Sequence, residues 1–287
     1  MMKTGNMLTR KGSGYGRWGE ARYEKMKEHG YDCADYNMAD TNDEVYTLPE
    51  KEAKALLCAE AELARKAGIE ISQVHGPWRW PARDFGEEDR KERMEKMKKS
   101  IRYTAVLGCK YWVIHPIMPF GVCEKDTEDA QKTWDMNIEF MSELLKVAKE
   151  VGVTICFENM PMLQFSLAKP DKILEFVKTI NDDNFKICLD TGHVSVFEEL
   201  SLGEEVRKMG NEIRVLHIHD NRYSCDLHLP PYYGIINWSE FKKALKDIEF
   251  SGTFSFETLP PDKLPEGVYD EYCRMYGNLA KDMVRDL

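Results

Sequence analysis

The sequence lacks the features that would direct it into a membrane or out of the cell. No uninterrupted apolar run approaches the roughly 20 residues of a membrane-spanning helix, and the first residues lack the apolar core that a signal peptide needs. The eight cysteines form no C-x-x-C pair, and several stand in apolar runs, which is typical of buried thiols rather than of disulfides. We therefore expect a cytoplasmic protein.

An excess of positive charge is also missing. The 287 residues have a formal net charge of −10, so the chain gains no long-range attraction to nucleic-acid phosphates or anionic membranes. We accordingly expect neither a nucleic acid nor a membrane as a partner. No linker or low-complexity tract divides the chain, and its 43% hydrophobic and 31% charged residues are ordinary for a globular protein. One domain over residues 1–287 is the expected organisation.

One pattern occurs eight times along the chain: a short apolar or β-branched segment is followed by a longer charged and amphipathic segment. Strands that alternate with helices pair in parallel. Eight such units within 287 residues predict an α/β protein that forms a closed (β/α)8 TIM barrel. The predicted strands span 3–8, 31–37, 69–75, 109–116, 153–159, 185–190, 213–219 and 252–258, and two of the helices span 50–68 and 129–152.

The glycines support the barrel in two ways. A glycine before a predicted strand is expected to end the preceding helix. A doubly wound open sheet is the alternative fold, but its usual G-x-G-x-x-G phosphate-binding motif is absent, because the glycines of GSGYGRWG have a different spacing. The glycines expected to end helices are Gly30, Gly68, Gly108 and Gly152.

Side chains that can bind a metal stand at or near the ends of six successive predicted strands. In a barrel enzyme, the carboxyl ends of the strands form the active site. The alternation along each strand places the bulky apolar side chains toward the helices and these polar ones toward the barrel axis. The residues are His75, His115, Glu158, Asp190, His217 with His219, and Glu257.

A metal ion would explain this convergence. Crowded carboxylates raise one another's pKa, and a divalent cation removes that penalty. One histidine alone is more often a core residue, and one acid alone is more often a helix cap, so the prediction depends on the whole set. Imidazole and carboxylate ligands suit Mn²⁺, Zn²⁺, Co²⁺ or Fe²⁺ better than Ca²⁺, and the lack of a thiolate disfavours a structural zinc site. We expect a divalent ion, Mn²⁺, Zn²⁺, Co²⁺ or Mg²⁺, whose identity and number the sequence leaves open.

Four other residues have different expected environments. His29 lies in the charged stretch EARYEKMKEHG, which predicts a solvent-facing side chain. Trp112 shares the outward parity of its strand, so we expect it in the core. Trp78 and Trp80 follow His75 in a loop at the barrel mouth, where they could cover a sugar or merely pack.

The motifs VHGPW, VIHP, CFENM, LDTGH, LHIHDN…DLHLPP and FSFE, in this order, resemble those of the xylose isomerase-like TIM barrels. That superfamily includes sugar isomerases, sugar epimerases and endonuclease IV. The resemblance implies a divalent-metal-dependent isomerase or epimerase of a small sugar or sugar phosphate, which moves a proton through an enediolate. The implied metal ligands are Glu158, Asp190, His217 and Glu257, of which Glu158 and Glu257 would also be catalytic, and the implied substrate contacts are His193, His219, Arg222 and Trp78.

The endonuclease branch of the superfamily implies an alternative, a phosphodiesterase with two or three metal ions. After the glutamate motif, however, ENMPMLQFSL lacks that branch's Gly-rich segment, and the mouth loops carry few basic residues beyond Arg79, Arg83 and Arg222. A third alternative is a non-catalytic barrel that binds a sugar or a protein without a metal. The resemblance also implies that the chain could form a homo-oligomer. The residues that would hold additional ions are His75, His115, His193, Asp226 and His228.

Overall fold

Eight parallel strands form one barrel sheet in the computed structural model, which describes residues 2–82, 84–222 and 225–287. The strand order β7-β6-β5-β4-β3-β2-β1-β8 follows the chain around the barrel, and a bridge between Ile218 and Phe256 brings the two end strands together. The predicted (β/α)8 fold is confirmed. The strands are β1 Thr4–Thr9, β2 Cys33–Asn37, β3 Glu70–His75, β4 Tyr111–Ile114, β5 Thr154–Glu158, β6 Phe185–Asp190, β7 Ile213–His217 and β8 Phe254–Phe256.

Helices connect the strands and cover the outside of the barrel. None of those in the described ranges is both long and apolar enough to cross a membrane. Two short 3-10 segments, Gly14–Ala21 and Gly210–Glu212, accompany them. The α-helices are α1 Arg22–Glu28, α2 Glu44–Thr47, α3 Glu50–Ala67, α4 Glu87–Val106, α5 Glu128–Val151, α6 Pro170–Ile180, α7 Thr191–Ser195, α8 Leu202–Met209, α9 Trp238–Asp247 and α10 Glu266–Val284.

β6 has the predicted bounds 185–190 and β1 the predicted length, whereas the other six strands are shorter than the sequence predicts. β4 ends at Ile114 and β8 at Phe256, so His115 and Glu257 each lie one residue beyond a strand. The four glycines expected before strands do have the left-handed backbone that ends a helix, with φ between 69° and 99°. The functional side chains therefore stand where strand becomes loop.

The two faces of the strands pack differently. On the outer face, Trp112 is fully buried, as predicted, and its indole Nε1 donates to Ser100 Oγ at 2.8 Å. Gly76 lies against that indole so closely that a Cβ would be 2.5 Å from it. On the inner face, smaller side chains fill the barrel beneath the mouth: Val113, Cys156, Cys188 and Val215.

His29 contradicts its predicted exposure, since only 1% of the residue is accessible. Its Nδ1 is 3.0 Å from the Tyr15 hydroxyl, and its Nε2 is 3.2 Å from Asp270 Oδ1 on α10. The prediction was wrong because α10 covers the C-terminal end of α1. The charged residues around His29 predict a solvent-exposed surface and do not indicate this contact. Burial lowers the pKa of His29, against the opposite effect of Asp270.

Asn137 of α5 fixes the loop that follows β4. Its amide accepts from Ile117 N at 2.8 Å and donates to Ile117 O at 2.9 Å. The substitution Asn137→Ala leaves both buried backbone groups without partners, so we expect the free energy of unfolding in urea to fall by about 2 kcal/mol or more. Gln131→Ala, on the exposed side of the same helix, is the matched control and should change it by less than about 0.5 kcal/mol. A loss no larger than the control's would contradict this role of Asn137.

Candidate active site

Four of the predicted metal ligands meet at the carboxyl end of the barrel. We call Glu158, Asp190, His217 and Glu257 the central cluster. Their candidate ligand atoms all lie within 4.8 Å of one another. All four residues are buried, and Glu257, with 8% exposure, is the most accessible. The period-two alternation therefore delivers these side chains from β5, β6, β7 and the end of β8 to one small volume.

The backbone around Asp190 is fixed on both sides. The Asn159 side chain accepts from Asp190 N at 2.9 Å and donates to Asp190 O at 3.0 Å, which joins the ends of β5 and β6. The Asp190 carboxylate in turn caps α7 by accepting from His193 N at 2.7 Å. Only glycine fits at position 192, where a Cβ would lie 1.9 Å from the ring of His219. Sequence reasoning did not identify Asn159, although it directly follows Glu158 in ENM.

The charges of the central cluster are only partly balanced by the protein itself. Burial alone would raise the pKa of Glu158, but the imidazoles of His217 and His115 hold it well below its usual range. Burial raises the pKa of Glu257, and the nearby His217 and His228 do not fully offset this effect. Glu158 Oε2 is buried and lies 2.9 Å from His115 Nε2 without the alignment of a hydrogen bond. One oxygen of Glu158 is thus buried beside His115 and His75 without a hydrogen-bond partner.

The donor set of the central cluster fits a divalent cation. Three carboxylates and one imidazole are ligands that catalytic Mn²⁺, Zn²⁺ and related ions accept. A cation would also satisfy the orphaned oxygen of Glu158. Cys188 lies next to Glu158 and His217, and burial raises the pKa of its thiol well above the usual range.

The residues predicted to hold additional ions form two groups beside the central cluster. His75 and His115 share Glu158 with it, and we call these three the β3–β4 group. Burial lowers the pKa of His115 to about 4, so its imidazole is neutral. The second, which we call the loop group, comprises His193, His219, Asp226 and His228.

The loop group is held together by the Asp226 carboxylate. His193 Nε2 lies 3.5 Å from it and His228 Nε2 lies 3.3 Å from it. Burial would lower the pKa of His193, but Asp190 and Asp226 raise it to about 10. The loop group therefore pairs imidazolium with carboxylate in the absence of a bound cation.

Of the four residues predicted to contact substrate, two line a cleft and two do not. A cleft of about 540 Å³ opens above the central cluster, and Trp78 and His193 line it. His219 is fully buried behind Asp190, with its Nε2 3.1 Å from Asp190 Oδ2, and does not line the cleft. Arg222 is exposed and also outside the lining, because its Nε donates to Tyr233 O at 2.7 Å. Arg83 lies outside the described residues.

Asp35 of β2 is a functional candidate that sequence reasoning missed. Its carboxylate is 2% exposed, accepts from Gln73 Nε2 at 3.0 Å, and lies 2.9 Å from His217 Nε2. The other ring nitrogen, His217 Nδ1, faces Glu158 Oε1 at 2.8 Å within the central cluster. A carboxylate beside the outer nitrogen orients a metal-binding imidazole and raises its basicity. The signal was an acid within the otherwise buried strand sequence CADY.

Comparison with known proteins agrees with this geometry. The family profile described as xylose isomerase-like TIM barrel matches residues 23–276. The chain belongs to the xylose isomerase-like TIM barrel family. The resemblance seen in the sequence motifs is thereby confirmed.

The relatives of this xylose isomerase-like chain include an uncharacterized protein, a D-psicose 3-epimerase and a probable endonuclease 4. An uncharacterized protein of Methanocaldococcus jannaschii is 31% identical over 82% of this chain and 77% of its own length. A D-psicose 3-epimerase of Enterocloster bolteae is 25% identical over 92% of this chain and 82% of its own length. A probable endonuclease 4 of Mycoplasmopsis agalactiae is 27% identical over 59% of this chain and 62% of its own length.

Solved structures share the fold along the whole xylose isomerase-like chain. A D-tagatose 3-epimerase-like protein has a TM-score of 0.72 and 26% identity, with 99% of this chain and 100% of that one covered. The IOLI protein, whose crystal structure holds a zinc atom, has a TM-score of 0.75 and 21% identity, with 99% and 98% covered. A D-psicose 3-epimerase crystallised with D-fructose has a TM-score of 0.76 and 18% identity, with 99% of each chain covered.

The position of Asp35 leads to a test of metal binding. We expect Asp35→Asn to weaken the affinity for Zn²⁺ or Mn²⁺ by about 10-fold or more, because the imidazole of His217 loses its neighbouring negative charge. Titration calorimetry of metal-free protein measures the affinity. Asp32→Asn is the matched control, since Asp32 precedes the same strand at the opposite end of the barrel. Equal affinities of the two variants would remove Asp35 from the site.

Proposed function

We propose that the protein is a divalent-metal-dependent epimerase or isomerase of an unphosphorylated sugar. The observation that carries the proposal is the central cluster, in which the two glutamates at the floor of a cleft at the carboxyl end of the barrel meet one aspartate and one histidine. Relatives and structural neighbours named as D-psicose 3-epimerase, and one named as a D-tagatose 3-epimerase-like protein, support the reaction class.

The cleft favours a neutral substrate. Among the described residues that line it, none is lysine or arginine. Arg79, from the loop after β3, instead lies 3.3 Å from Glu92 on α4. A phosphate group would enter a site dominated by carboxylates, where the described lining offers no lysine or arginine to bind it. The sugar phosphate that the sequence left open is therefore the less suitable substrate.

Proton transfer is the chemistry that the two glutamates would perform. Glu158 Oε1 and Glu257 Oε2 lie 2.8 Å and 3.3 Å from His217 Nδ1, and they reach it from different strands of the barrel. One carboxylate would remove the proton from the carbon beside the sugar carbonyl, and the other would return a proton to the opposite face. A divalent ion held by Glu158, Asp190, His217 and Glu257 would polarise that carbonyl when bound.

Two residues of the lining would orient the sugar. His193 Nδ1 lies 2.7 Å from Asn159 O, an acceptor only, so Nδ1 carries the proton and Nε2 is directed toward Asp226 and the cleft. Trp78 packs edge-on against His115, with ring centroids 4.5 Å apart, and presents an apolar surface beside the central cluster. A hydroxyl group could bond to His193 while the carbon face of the ring contacts Trp78.

Substitution of Glu257 tests the proton transfer. We expect Glu257→Gln to lower the rate of deuterium uptake from D₂O into a ketose by a factor on the order of 100 or more, because the amide cannot accept or return a proton. Mass spectrometry of a ketose panel that includes D-fructose, D-psicose and D-tagatose, at saturating metal, measures this rate. Glu266→Gln, at the exposed start of α10, is the control and should leave the rate unchanged. Unchanged uptake by Glu257→Gln would refute the assignment.

A phosphodiesterase is a second candidate because the β3–β4 group and the loop group are also assembled. Together with the central cluster they provide ligands for more than one ion. The relative named as a probable endonuclease 4 belongs to the same family. A protein that binds DNA needs lysine or arginine side chains to contact the phosphate backbone. The described lining of the cleft, however, contains neither residue.

Abasic DNA separates the two candidates. We expect protein loaded with excess Zn²⁺ to leave a duplex containing an abasic site uncut in a gel assay, because the described cleft lining has no lysine or arginine for the backbone. Nicking that is lost in Asp226→Asn would instead establish the phosphodiesterase. His228→Ala serves as a second probe of the loop group, and the deuterium assay on the same variants tests whether that group matters to sugar chemistry.

A further inference from the structure

The lining of the cleft above the central cluster carries two chemically different sets of side chains. One set comprises carboxylates and imidazoles, including Glu158 and Glu257 at the floor. The other comprises Trp78, Trp80, Met160, Pro161 and Met162, from the loops after β3 and β5, and we call these five residues the apolar wall. Every described side chain of the wall is uncharged, and only the two indole nitrogens are able to donate a hydrogen bond.

The apolar wall combines fixed and adaptable parts. Trp78 is fixed, since it packs against His115 and the Arg93 guanidinium lies 5.3 Å from its ring centroid. Arg93 is itself paired with Asp84 in the interior. Trp80, in contrast, is 60% exposed, although exposed tryptophan normally finds a partner surface. Methionine side chains are flexible and polarizable, which suits contact with groups of varied shape.

An unsubstituted sugar matches this wall only where its carbon face contacts Trp78. Such a sugar carries a hydroxyl group on nearly every carbon, and hydroxyls pressed against Pro161 and Met162 would lose water without gaining a partner. The volume of about 540 Å³ lies in the range of clefts that hold drug-sized ligands, so the floor alone does not fill it. A ligand that fills the cleft needs a polar end at the floor and an apolar end at the wall.

We propose that the substrate is a carbonyl sugar that carries an apolar or aromatic substituent, and that Trp80 and Met162 bind this substituent. The proposal rests on the proposed function, because it takes the central cluster as the place where the carbonyl end binds. It assigns specificity to wall residues that have no part in proton transfer. A free hexose would then be a poorer ligand than a substituted one with the same carbonyl group.

A matched pair of metal-chelating ligands tests the proposal without knowledge of the sugar. Methoxyacetohydroxamate and phenoxyacetohydroxamate carry the same planar, oxygen-rich head and differ only in a methyl or phenyl end. Their affinities for zinc-loaded full-length protein are measured by titration calorimetry. We expect the phenyl ligand to bind at least about 10-fold more tightly, since burial of a ring removes apolar area from water.

Variants show whether the wall causes that preference. We expect Trp80→Ala and Met162→Ala each to reduce the preference for the phenyl ligand to about 3-fold or less and to leave methoxyacetohydroxamate binding unchanged. Phe85→Ala is the control, because Phe85 is 59% exposed on a neighbouring loop and outside the lining. This control should keep the full preference.

The outcomes distinguish the two proposals. If both hydroxamates bind equally, or if the wall variants keep the preference, the substituent-binding role is overturned while the central cluster remains a metal site. Equal weakening of both ligands by the wall variants also overturns it, because the wall would then hold the head group. If neither hydroxamate binds to the zinc-loaded protein, the proposed function fails, and the role of the wall fails with it.

Discussion

The repulsion between buried carboxylates is the constraint on which the site depends. Glu158, Asp190 and Glu257 come within 4.8 Å of one another in a volume almost closed to solvent. Such a group is costly unless positive charge or hydrogen bonds compensate it. The surrounding imidazoles supply part of that compensation, but an oxygen of Glu158 remains without a donor. In the proposed function, a divalent cation would complete the balance and would also polarise a sugar carbonyl.

The rest of the structure keeps these groups from moving apart. Asn159 joins two strand ends through the backbone of Asp190, and Asn137 clamps the loop that follows His115. Asp220 does the same for the loop after β7, where its carboxylate accepts from Tyr232 N and from Trp238 Nε1, both at 3.0 Å. Rigid positioning of this kind holds ligands in place before a cation arrives, which lowers the cost of binding it.

The sequence predicts those parts of the fold and site that depend on local periodicity. Strand alternation and the order of the motifs place Glu158, Asp190, His217 and Glu257 together, because all barrel strands run in one direction. Residues whose environment depends on distant segments were missed or misplaced. Asp35 meets His217 only through barrel closure, and His29 is buried by a helix some 240 positions away. Arg222 lies outside the cleft because its Nε donates to Tyr233 O within the same loop. The spacing of residues in the sequence does not predict this contact.

The cleft lining combines charged side chains with the apolar wall. The charged side chains would serve the proposed metal chemistry, and the wall would determine substrate specificity. The floor would fix the carbonyl end, and the wall would select what is attached to it. The central claim, that the four residues of the central cluster hold a catalytic ion, is tested most directly by anomalous diffraction from crystals grown with Mn²⁺ or Zn²⁺. The account predicts an anomalous peak within bonding distance of Glu158, Asp190, His217 and Glu257. A map with no peak there, or with a peak only among His193, Asp226 and His228, would contradict it.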